Sequence, residues 1–69
     1  MKEVTYAEFT AFLGKHGWPK AEYEFGKRYE ITRYTCIGTF NGVTSSRTAE
    51  IHKQMKRGKA VATVHYIPA

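Results

Sequence analysis

The sequence predicts an α+β fold: a small antiparallel sheet of about three strands with one or two short helices packed on one face, in the order helix, strand, hairpin, helix, strand. Three observations carry this reading. A capped amphipathic segment opens the chain, a two-residue alternation leads into Asn41-Gly42, and an almost unbroken apolar run closes it. The 69 residues make a single domain, 1–69. A chain of this length buries only about 60% of its unfolded surface, so its core is marginal and dense aromatic packing or self-association must help.

The first helix starts in "VTYAEF", where Thr5 is placed to be an N-cap and Glu8, three residues on, completes a capping box. Val4 and Phe9 occupy the staple positions. Tyr6, Phe9, Phe12 and Leu13 then recur along one helical face. Gly14 or Gly17 can end the helix, and Pro19 blocks its continuation. Trp18, just past the stop, is expected to fold back as a core plug, because so small a domain needs the area a Trp buries. "PKAEYEFG" has two readings. Pro19 and Gly26 suit the ends of a helical turn, which we favour, while Tyr23 and Phe25 alternate as in a strand.

From Lys27 onward the period is two, with Tyr29 and Ile31 on one face and Arg28, Glu30 and Thr32 on the other. The apolar phase then slips to Tyr34 and Cys36, which predicts a bulge or bend near residues 33–35. Asn41-Gly42 is the strongest hairpin signal in the chain, ending one strand near Phe40 and starting the next at Val43. "SSRTAEIHKQMKRG" reads as a second helix, capped by Ser45 or Ser46 and ended by Gly58. Ile51 and Met55 would lie on its buried face, and Lys53, Lys56 and Arg57 would crowd its last turn, where cations favour the dipole. "KAVATVHYI" suits a central strand stopped by Pro68.

Charge is the most informative functional signal. Residues 1–31 balance Lys2, Lys15, Lys20, Lys27 and Arg28 against Glu3, Glu8, Glu22, Glu24 and Glu30. Residues 32–69 set six cations against Glu50 alone, so the whole net charge of +5 falls there. That asymmetry points to nucleic acid or an acidic protein surface as the partner. The candidate contact residues are Arg47, Lys53, Lys56, Arg57 and Lys59, with Arg28 and Arg33 on the adjoining sheet. An aromatic stacking platform built from Tyr29, Tyr34 or Phe40 is a further option, although most of the aromatic rings are needed inside.

Other chemistries find little support. The chain has no Asp, its three His lie far apart, and no phosphate-binding glycine motif occurs. The reading is therefore non-enzymatic, with no metal and no cofactor. Cys36, the lone cysteine, reads as a small buried hydrophobe in a reducing compartment. No apolar run approaches a membrane span, which fits a soluble, cytoplasmic protein.

"FLGKHGWPKAEYEF" resembles the exit from the first helix of a double-stranded-RNA-binding domain, where a glycine and a proline precede a Tyr-Glu strand. The resemblance covers about a fifth of the chain, and the rest departs from that pattern. The region for the three-stranded hairpin is too short, "SSRTAEIHK" replaces the lysine cluster that should open the last helix, and a strand ends the chain. No site residues carry across.

The expected function is thus a binding module engaging nucleic acid through the basic C-terminal half. The alternative is a small phage- or mobile-element-type inhibitor or adaptor that docks on and blocks a larger host protein or nucleoprotein complex, through the basic residues or a free strand edge such as "VTSSRT". A homodimer is an option in either case.

Overall fold

Thr5 starts the helix where its spacing from Glu8 predicts. In the computed structural model, which describes residues 1–69 and every side chain but that of Phe40, the Glu8 backbone N–H donates to the Thr5 hydroxyl oxygen at 3.2 Å. The Thr5 N–H donates to Glu8 Oε1 at 3.1 Å. The two bonds satisfy donors that helix geometry would otherwise leave orphaned. Helix α1 (Tyr6–Lys15) closes in a Schellman motif. The Trp18 N–H reaches the Leu13 carbonyl at 3.0 Å and the Gly17 N–H reaches that of Gly14 at 3.3 Å.

Five strands accompany this helix: β1 (Lys2–Val4), β2 (Ala21–Phe25), β3 (Tyr29–Phe40), β4 (Val43–Lys56) and β5 (Lys59–Ile67). They form one antiparallel sheet in the order β1-β5-β4-β3-β2. The expectation of about three strands and a second helix is corrected on both counts. "SSRTAEIHKQMKRG" lies within β4 up to Lys56 and in the turn that follows it.

Turn chemistry explains the change. Asn41-Gly42 sits with φ of +53° and +79°, the geometry of a two-residue type I′ hairpin loop. It launches β4 in register with β3, and that pairing runs unbroken from Phe40↔Val43 to Tyr29↔Gln54. Arg57-Gly58 repeats the device at +53° and +77°, returning the chain as β5 with Lys56 opposite Lys59. A glycine with positive φ serves a helix C-terminus and a type I′ turn equally well, so Gly58 was compatible with both readings. The modest helical tendency of residues 45–57 yields to strand partners on both sides of residues 50–54.

Three smaller expectations also change. Residues 21–25 form strand β2, paired from Ala21↔Tyr34 to Phe25↔Glu30, and not a helical turn. β3 has no bulge near residues 33–35. Its phase slip arises because it carries apolar residues on both faces, and the sheet's register shift lies between Gln54 and Met55. Trp18 is 56% exposed, so it is not a core plug.

The core is small. Phe9 and Leu13 of α1 are buried with Cys36 of β3 and Ala49 of β4. Val4, Phe12, Tyr34, Ile51 and Ile67 pack around them. The Phe9 ring meets Tyr34 edge-on at 5.9 Å and tilts against His65 at 5.1 Å. Directly paired residues share a face of an antiparallel sheet, so Tyr34, Ala49, Ile51, His65 and Val4 all look towards α1. Burial pushes the Cys36 thiol up, away from the thiolate that reactivity needs. No described helix is long and apolar enough to cross a membrane.

Two consequences are measurable. Leu13→Ala should lower the unfolding free energy in urea by about 3 kcal/mol, whereas Trp18→Ala should cost under about 1 kcal/mol. The backbone bond from Thr5, with its side chain assisting, holds the Glu8 carboxyl below its usual range. A carboxyl lowered on folding stabilises above its unfolded pKa, and that contribution is lost as pH falls through the folded value. The stability advantage of the parent over Glu8→Gln, present at about pH 7, should therefore shrink as pH falls below the ordinary carboxyl range in paired urea melts.

Candidate nucleic-acid interface

Two connections meet at one end of the sheet. Residues 26–28 join β2 to β3, and Arg57-Gly58 joins β4 to β5. The Met55 N–H donates to the Arg28 carbonyl at 2.8 Å and ties the first connection to β4 beside the second. Lys27, Arg28, Lys56, Arg57 and Lys59 are exposed here, and half-buried Lys53 lies one step inward. A cleft of about 420 Å³ opens between the connections, with Lys27, Arg28, Lys56 and Arg57 around Met55 and Val61. The carboxylate facing this group across a strand pair is Glu30, opposite Lys53.

Five of the seven sequence-predicted residues thus converge: Arg28, Lys53, Lys56, Arg57 and Lys59. They do so at a sheet end and a hairpin turn, not on the last turn of a helix. Arg33 and Arg47 lie elsewhere. Arg33 Nη1 donates to Glu24 Oε1 at 3.0 Å, and its Nε lies 3.8 Å from Glu50 Oε2. The Arg33 bond, with Tyr29 assisting, holds the Glu24 carboxyl below the usual range. Arg47 pairs with Cys36 in the far half of the β3–β4 ladder and donates from Nη1 to the Ala69 carbonyl at 3.2 Å.

Sequence reasoning missed Lys27 as a member of this group. Counting charge by halves of the chain placed it in a neutral segment, whereas the sheet folds that segment against the basic one. The pairing of Tyr29 with Gln54 could not be counted along the chain.

A second cluster also escaped notice. Glu50 is nearly buried on the face away from α1. Its Oε2 accepts from the Thr48 hydroxyl at 3.1 Å, and its Oε1 lies 2.7 Å from His52 Nε2. His52 in turn meets Tyr66 edge-on at 4.8 Å. With Arg33 the group spans β3, β4 and β5 and keeps both oxygens of the buried carboxylate partnered, which is a structural role. Among the described residues, no three His, Cys, Asp or Glu side chains gather as a metal site would require.

The aromatic rings divide. Tyr34 packs on Phe9, and burial pushes its phenol up. Tyr29 is 43% exposed, and the Phe40 side chain lies outside those described. Tyr23 and Phe25 are the surprise: they are 61% and 70% exposed, with centroids 6.1 Å apart and planes 14° from parallel. They share the α1 side of edge strand β2, immediately before Lys27 and Arg28.

Set against protein-family models, curated proteins and solved structures, the chain matches none of them, the double-stranded-RNA-binding domain included.

Proposed function

We propose that this chain is a non-enzymatic nucleic-acid-binding module that holds the phosphate backbone at the basic end of its sheet. The observation that carries the reading is the β4–β5 turn. Lys56 and Lys59 face one another directly across the hairpin, with Arg57 between them at φ +53°. Like charges placed opposite each other in a ladder destabilise it. A positive φ is also unfavourable for Arg and suits Asn, which occupies the equivalent place in the other hairpin. The turn therefore concentrates three cations where stability alone favours none. An anion bound there relieves the repulsion, and Lys27 and Arg28 beside it extend the positive surface.

A second reading has its own support. β2 pairs with β3 only up to Tyr34, and β5 pairs with β4 only from Glu50 onward. Beyond these points β3 and β4 pair with each other and with no further strand, and Ile37 and Val43 are 74% and 63% exposed on this ribbon. Such a ribbon suits strand addition to a protein partner or to a second copy, which keeps the inhibitor, adaptor and homodimer readings alive.

The readings separate experimentally. The combined variant Lys56→Gln, Arg57→Asn, Lys59→Gln should raise the melting temperature and at the same time reduce oligonucleotide binding in fluorescence anisotropy by at least about tenfold. Parent affinity should fall steeply with salt, with the log–log slope shrinking by about one for each phosphate contact removed. Lys2→Glu and Lys15→Glu should change little. Binding unaffected by the turn variant would refute the proposal. Retention of a protein partner in excess nucleic acid would favour the ribbon.

A further inference from the structure

We propose that the nucleic acid held at the basic end is single-stranded, and that Tyr23 and Phe25 form the platform on which its bases stack. The inference rests on the reading of the basic end as a phosphate-binding surface and adds the class of substrate. Two large rings on an edge strand, each more than three-fifths exposed, carry a cost in water that a chain with so small a core has reason to avoid. They are nearly parallel, stacked with their centroids 6.1 Å apart, and sit one strand repeat apart on the same face.

Their surroundings favour a polyanion over an apolar partner. Phe25 runs directly into Gly26, Lys27 and Arg28, and across the sheet it pairs with Glu30, whose other neighbour is Lys53. Cationic side chains thus follow the rings in the connection after β2 and lie two strands away across the sheet, beyond the carboxylate of Glu30. That is the combination by which single strands are gripped: cations track the phosphates, and aromatic faces take the unstacked bases without regard to sequence. In a duplex the base faces are already stacked on each other, so these rings would find no partner there.

The test uses the full chain and dye-labelled probes of about a dozen nucleotides: oligothymidylate, oligouridylate and a mixed-sequence DNA duplex. The parent should bind at least one single-stranded probe about tenfold or more tighter than the duplex, the two single strands distinguishing DNA from RNA as the source. Phe25→Leu and Tyr23→Leu keep apolar bulk and remove the ring. Each should weaken single-strand binding about fivefold or more and leave duplex binding within about twofold. Phe25→Trp should retain single-strand affinity, and thermal melts by circular dichroism should show every variant folded. If the duplex binds as tightly as the single strands, or if the Leu variants match the parent, this inference falls while the basic-end reading stands. If no probe binds, both fall.

Discussion

The seat of α1 on the sheet governs the rest of the molecule. Phe9 and Leu13 reach full burial because the two long central strands present Cys36 and Ala49 beneath them. Side chains this small leave the depth that a ring and a branched chain need, and a larger residue at either position would lift the helix from its contacts. The capping box and the Schellman motif fix where the helix begins and ends, so the seat allows little adjustment. A helix of ten residues is only about 15 Å long, whereas the molecule extends 44 Å. Most of what is exposed follows from that mismatch. The helix shelters the middle of the sheet and leaves the β2 rim, the far β3–β4 ribbon and the basic end uncovered.

The opposite face has a different solution. An antiparallel sheet tolerates water on one side, and no described element covers this face. Its centre is held by a polar layer in which Glu50 engages Thr48, His52 and Arg33, while Arg33 also binds Glu24. Glu50 is the lone carboxylate of residues 32–69, and Arg33 is one of their cations. Their attraction is spent within the sheet, which leaves the end cluster with Glu30 as its facing acid. The positive charge at the tip is therefore more concentrated than the net charge of the chain suggests.

The two hairpins differ in how well their side chains suit the same turn. Both use a two-residue loop with positive φ at both positions. One is built from Asn-Gly, flanked by Phe40 and Val43, and the other from Arg-Gly, flanked by Lys56 and Lys59. The backbone demand is the same, and only the side chains differ. The residues departing from what the turn prefers are the ones grouped with Lys27 and Arg28, which is the pattern expected where a local rule is broken for the sake of a ligand.

By itself the sequence determined features whose physics is local. The capped start of α1 rests on contacts between residues three apart, and the Asn41-Gly42 turn rests on two backbone angles that Asn and Gly tolerate. The charge asymmetry pointed to most of the basic group because Lys53, Lys56, Arg57 and Lys59 are close in the chain. Tertiary structure decided whatever depended on a partner distant in sequence. Residues 45–56 carry both a helical and an alternating pattern, and pairing with β3 and β5 selects the strand. Tyr23 and Phe25 look like core material, yet β2 is placed at the edge of the sheet beyond the reach of a short helix. Trp18 follows the closing glycine of α1 and stays largely exposed for the same want of cover. Lys27 joins the basic end because a backbone bond from Met55 to Arg28 brings two connections together. Local propensities differ by a kilocalorie or less per residue, whereas ladder pairing and burial act on whole strands at once, so the long-range terms prevail wherever the two disagree.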